Sequence, residues 1–142
     1  MPLRDSIERL ALADACRFEL RIAQELKQIH DLSDNPSTRE LLAELIAEEE
    51  AHLSSLTSLL PVEKAAETVE IEPPASEKTD LCTMLRNILK KEESSVTFYE
   101  LLAERTPIPA VKDAFRTIAE AEKKHVVKLA QHIRELCDGE SG

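Results

Sequence analysis

A chain of 142 residues is long enough for one packed domain, and with 2 glycines, 3% aromatic residues and 32% charged residues it is written in helix formers rather than strand formers. Its net charge of -10, with no basic stripe, excludes nucleic acid and anionic membrane surfaces as partners, because nothing is present to displace phosphate counterions; the same charge suits the attraction of cations. No apolar run nears the roughly 18 to 20 residues of a membrane span, and Met1-Pro2-Leu3-Arg4-Asp5 opens onto an amphipathic pattern rather than a signal peptide, so an all-α, cytoplasmic protein is expected.

Helical periodicity marks four stretches. The first, about 3–31, places Leu12, Ala15, Glu19, Ile22, Ala23, Leu26 and Ile29 on one stripe and ends at Ser33-Asp34-Asn35-Pro36, which reads as a turn and a cap for the next helix. The second, about 37–60, carries Leu42, Leu45, Ile46, Glu49, His52, Leu53 and Leu56 and stops before Pro61. Residues 61–78 hold three prolines and five acidic residues without an apolar stripe, and read as a linker, either a solvated strap or a docking segment. The third helix, about 79–105, shows Leu85, Ile88, Glu92, Val96 and Tyr99 in phase; after Thr106-Pro107-Ile108-Pro109 the fourth, about 110–137, shows Val111, Phe115, Ile118, Glu122, His125, Leu129 and Ile133. Residues 138–142 read as a frayed tail.

A helix of about 25 residues is roughly 38 Å long. The 18 linker residues reach at most about 60 Å when extended, so a full-length crossover is feasible. Direct antiparallel neighbours need only a short loop, so the length of this one predicts that the third helix starts at the opposite end of the bundle, giving the order up, down, down, up.

Each stripe is broken by a carboxylate in mid-helix. Glu19, Glu49 and His52 in the first half recur as Glu92, Glu122 and His125 in the second, every member displaced by the same 73 residues. The offset also pairs Pro36 with Pro109, Leu45 with Ile118 and Leu56 with Leu129, so the halves read as duplicated helical hairpins. A carboxylate on an apolar stripe is costly unless its charge is compensated. Residues three apart on a helix share a face, so each Glu-x-x-His can point both donors at one cation. Four carboxylates and two imidazoles therefore read as a di-metal ligand set, whose mixed oxygen and nitrogen donors suit iron or manganese. Register favours Glu92 over Glu93 and Glu49 over its acidic neighbours, while Glu48 and Glu50 are candidates for supporting the histidines.

Taken together, Ala15-Cys16-Arg17-Phe18-Glu19, Glu48-Glu49-Glu50-Ala51-His52, Glu92 with Phe98-Tyr99, and Ala119-Glu120-Ala121-Glu122-Lys123-Lys124-His125 resemble the rubrerythrin type of ferritin-like protein. The resemblance covers residues 3–137 and implies a ferritin-like four-helix bundle of two hairpins joined by a crossover. It implies that Glu49 and Glu122 bridge two iron ions, manganese being the alternative, that His52 and His125 each cap one ion, and that Glu19 and Glu92 are terminal. It further implies reaction with O2 or H2O2 of the ferroxidase or peroxidase type. A dimanganese catalase-like enzyme and a non-catalytic iron-binding or carrier module stand as alternatives. Rubrerythrins usually carry a further carboxylate one turn beyond the third-helix ligand; here that position is Ser95, which leaves the symmetric set typical of bacterioferritin-like ferroxidase centres. The paired Cys-x-x-Cys motifs of a rubredoxin domain are absent from the sequence, so the resemblance implies an external electron donor such as a rubredoxin-like protein, and a homodimer is expected.

The remaining polar residues carry weaker expectations. Tyr99 is placed to hydrogen-bond a ligand carboxylate, to trap a radical, or simply to fill an interface. His30 is expected at the surface and His132 at the bundle end. Cys16, Cys82 and Cys137, odd in number and far apart, read as reduced thiols filling core space, with Cys16 one turn from Glu19.

Overall fold

The computed structural model describes residues 7–59 and 80–138, which form four helices and no strand among the described residues. These are α1 (Ile7–Leu32), α2 (Pro36–Thr57), α3 (Leu81–Arg105) and α4 (Pro109–Cys137). The linker expected over 61–78 and the tail beyond Asp138 lie outside the described residues. Asn35 caps α2 by accepting from the Thr38 backbone N–H at 2.9 Å, with Pro36 at the first position, where a missing N–H costs nothing. Asp80 does the same for α3 through the Thr83 N–H at 2.7 Å. The second helix ends at Thr57, short of the expected Leu60: the hydroxyls of Thr57 and Ser58 take the carbonyls of Ser54 and Ser55, offering the backbone a local alternative to another turn.

Helices α1 and α2 form one hairpin and α3 and α4 the other; α1 lies against α3 and α2 against α4. Cross-helix contacts give the directions. Glu25 pairs with Lys91 while Glu19 meets Tyr99, so α3 runs antiparallel to α1. Thr38 meets His132 and Glu48 meets His125, so α4 runs antiparallel to α2. The order is up, down, down, up, and the end of α2 and the start of α3 stand at opposite ends of the bundle.

The stripes close into two apolar clusters. One joins Leu12, Ala15, Leu56, Tyr99, Val111, Phe115 and Ile118; the other joins Ile22, Leu26, Leu42, Leu45, Leu85, Ile88, Leu129 and Ile133. Along every helix the cluster residues fall on either side of the duplicated glutamates, so these sit as a polar layer between two greasy ones. Burying a leucine side chain stabilises by about 1.5–3 kcal/mol, whereas removing an uncompensated carboxylate from water costs several. Such a layer persists only with something to offset it.

The cysteines depart from expectation. Cys82 and Cys137 form a disulfide with Cα atoms 5.8 Å apart, although 55 residues separate them. Distance along the sequence is no guide here, because an antiparallel hairpin returns the end of α4 to the beginning of α3. Cys16 alone is a free thiol; it is buried in the first apolar cluster, where burial foremost, with help from the Glu19 charge, pushes its pKa up to about 11. A covalent link across 55 residues restricts the unfolded chain by an amount worth about 4 kcal/mol in the chain-entropy description. Reduction is therefore expected to lower stability by about 2–4 kcal/mol, read as a lower melting temperature in thiol reductant; an unchanged melt would show that this staple does not constrain the chain.

Candidate metal centre

All six duplicated residues converge on the layer between the apolar clusters. One ligand atom each from Glu19, Glu49, His52 and Glu122 lies within 4.8 Å of the others, and Glu49, Glu92, Glu122 and His125 form a second group of the same kind. Glu49 and Glu122 belong to both. The four glutamates are fully buried at 0% exposure. His52 Nδ1 lies 3.0 Å from Glu49, 3.1 Å from Glu122 and 3.6 Å from Glu19; His125 Nδ1 lies 3.1 Å from Glu92, 3.5 Å from Glu122 and 3.6 Å from Glu49. The two rings are near-parallel, with centroids 5.9 Å apart.

The electrostatics are those of an overfilled site. Burial foremost, reinforced by neighbouring carboxylates, pushes Glu49 far above the carboxylate range, and burial raises Glu19 against the nearby His52 ring and the hydrogen bond from Tyr99. Burial lifts Glu92 to about 8 although His125 opposes it. Burial would raise Glu122 as well, but the close approach of His52, Glu49 and Glu92 outweighs it and takes that carboxyl down to about 2. For His52 burial alone would depress the pKa; the facing Glu122 and Glu19 carboxylates overcome it and hold the ring at about 9, and His125 is raised in the same way by Glu92 and Glu122.

Supporting residues surround the six. Tyr99 donates to Glu19 Oε1 at 2.9 Å, so the tyrosine reaches a candidate ligand carboxylate, and the one it reaches belongs to α1 rather than to its own helix. Its phenol is raised well above the usual value, by burial first and then by the charge of Glu19, and stays a donor. Ser95 lies 3.0 Å from Glu122 Oε2 and 2.7 Å from its own helix's Glu92 carbonyl, so the position noted only as a missing carboxylate instead holds one of the shared glutamates. Its signal in the sequence was its phase, three residues after Glu92. Of the two acidic candidates for supporting a histidine, Glu48 accepts from His125 Nε2 at 3.2 Å across the hairpins, while Glu50 pairs with Lys27 at the surface. Lys91 and Glu25 pair between α1 and α3, and at the pseudo-equivalent place Phe18 packs on Phe98 with ring centroids 6.0 Å apart.

Two histidines stay outside the group. His132 is half-buried and bonded to Thr38 at 2.7 Å, and His30, expected exposed, is half-buried beside Asp31 at 3.1 Å.

Five buried oxygens have no hydrogen-bond partner among the described residues: Glu25 Oε2, outside the group, and Glu19 Oε2, Glu49 Oε2, Glu92 Oε1 and Glu122 Oε1 within it. Buried polar atoms are nearly always satisfied, so orphaned acceptors gathered around two imidazoles make this layer a candidate cation site, and the donor set fits one.

The fold matches a hypothetical protein from Pyrococcus furiosus (TM-score 0.78, 23% identity, covering 96% of this chain and 94% of that one). It also matches a two-domain protein of Anabaena variabilis containing DJ-1/ThiJ/PfpI-like and ferritin-like domains (TM-score 0.77, 15% identity), of which it spans 40% while 99% of this chain is covered. The bundle is ferritin-like. Within this ferritin-like bundle, residues 83–141, essentially the α3–α4 hairpin, match the Rubrerythrin family model. No curated protein matches the chain. None of the helices described is long and apolar enough to cross a membrane.

Proposed function

We propose that the buried layer binds two iron ions and that the protein is a non-haem di-iron oxidoreductase reacting with O2 or H2O2, of the ferroxidase or peroxidase type. The observation that carries the reading is the set of four unsatisfied, fully buried carboxylate oxygens facing two imidazoles. The match of the second hairpin to the Rubrerythrin family supports it. Glu49 and Glu122, common to both groups, would be shared between the ions; Glu19 and His52 would complete one position and Glu92 and His125 the other. A bound pair of such ions supplies two electrons to O2 or peroxide. The chain does the rest. Tyr99 and Ser95 pin Glu19 and Glu122, and the flanking apolar clusters keep bulk water from the layer.

Anaerobic titration with Fe(II) is expected to end at two ions per chain, followed by a ferric absorption band and repeated consumption of oxidant when O2 or H2O2 is added with a reductant. No uptake of Fe(II) would overturn the reading; uptake with a single oxidation and no turnover would make the protein a carrier. Oxygen and imidazole donors also suit manganese. Metal analysis of protein produced with both metals available separates a dimanganese catalase-like enzyme from an iron one. The same proposal includes an external electron donor such as a rubredoxin-like protein, a homodimer, and a cytoplasmic location. The Cys82–Cys137 disulfide bears on the last of these, since such bonds are uncommon in reducing compartments.

A further inference from the structure

The 73-residue repeat that superposes the six cluster residues does not extend to what surrounds them. His125 is held from both sides: Nδ1 faces the carboxylates, and Nε2 donates to Glu48 Oε1 at 3.2 Å from the other hairpin. Position 48 corresponds to Ala121 in the second half. Among the described residues His52 accordingly has no carboxylate behind it, and none accepts from its Nε2. Burial follows the same division, with the His125 side chain 0% exposed and that of His52 12%. A carboxylate behind an imidazole fixes the tautomer that presents a lone pair to a metal, locks the ring's orientation and makes the facing nitrogen a stronger donor.

A second difference is independent of the histidines. Glu19 accepts a hydrogen bond from Tyr99, whereas the residue equivalent to Tyr99 is Leu26, so Glu92 has no matching hydroxyl. A bond donated to a carboxylate draws charge away from its metal-facing oxygens. Both differences point in one direction.

Granting the two-metal reading above, we propose that Glu48 is a positioning residue for His125 and that, because Ala121 offers no counterpart, the two metal positions are unequal. The position built on Glu92 and His125 fills first and retains its ion. The position built on Glu19 and His52 fills second and exchanges it.

The test is an anaerobic titration of the metal-free full chain with Co(II), followed by calorimetry and visible absorption. Two binding steps separated by tenfold or more are expected, with His125→Ala removing the tighter step and His52→Ala the weaker. Glu48→Ala is expected to weaken only the tight step, by roughly 10–100-fold. Glu48→Gln, which keeps an acceptor oxygen, should retain more of that step. Ala121→Glu, which supplies the missing carboxylate, should tighten the weak one. A merely structural role for Glu48 would instead lower the metal-free melting temperature and both affinities alike. Two ions bound in one indistinguishable step by the wild-type chain, or equal weakening of both steps in Glu48→Ala, would overturn the inference while leaving the metal centre in place; no uptake of Co(II) at all would overturn both.

Discussion

Glu49→Ala is expected to abolish uptake of both metal ions, not one. Glu49 is one of two carboxylates common to both ligand groups, and its Oε1 approaches both His52 and His125. Removing it takes a ligand from each position and, with it, the negative charge that lets two cations approach. Glu19→Ala and Glu92→Ala, each confined to one group, are expected to remove one ion apiece. In wild type the metal stabilises the fold by mass action, by about 2.7 kcal/mol when free metal stands at a hundred times its dissociation constant. That increment should vanish in Glu49→Ala. Metal content after desalting gives the stoichiometry, and paired melts with and without metal give the linked stability; a metal-free melt close to wild type separates lost ligation from lost fold. Retention of one tightly bound ion by Glu49→Ala would show that the positions do not share this glutamate and would break the bridging arrangement.

The duplicated Glu, Glu-x-x-His spacing carried the convergence of the six residues because a helix converts sequence distance into direction: residues at the right phase of a mid-helix stripe have only one place to point. The apolar residues flanking them carried the bundle for the same reason, and Leu12, Leu26, Leu45, Leu85, Phe115 and Leu129 are all buried as their phase requires. What the sequence hid lay between helices. That Glu48 supports His125 rather than its own neighbour His52, and that Tyr99 reaches Glu19 rather than Glu92, depends on which helices are adjacent and on how they are offset. The Cys82–Cys137 bond is invisible in the sequence for a related reason, since 55 residues look far until the hairpin closes. Ser95 was legible as a missing carboxylate but not as a donor to Glu122, because a serine near its own helix carbonyls has partners available without any site.

Metal-free protein is expected to lose stability as pH rises from about 5 to 9, the reverse of ordinary acid denaturation. Glu19, Glu49 and Glu92 have folded-state values above the ordinary 4.5, so the stability they contribute is complete below that pH and is lost as pH climbs through the folded values, about 8 for Glu92. His52, raised from 6.5 to about 9, acts in the same sense over its own window. Only Glu122, lowered to about 2, works oppositely, and its contribution disappears below pH 4.5. The shift of Glu92 alone corresponds to about 5 kcal/mol across the window, an upper figure because the carboxyls share their protons. Metal inverts the dependence. A cation replaces the protons, so binding at pH 7 must release them and affinity must rise with pH. Melting temperatures of chelated and reconstituted protein between pH 5 and 9 are therefore expected to diverge steadily, and calorimetric titrations in buffers of different ionisation enthalpy should report proton release. A chelated protein whose melting temperature stays flat across that range would mean that the buried carboxyls ionise freely, and the physical case for a cation to neutralise them would be lost.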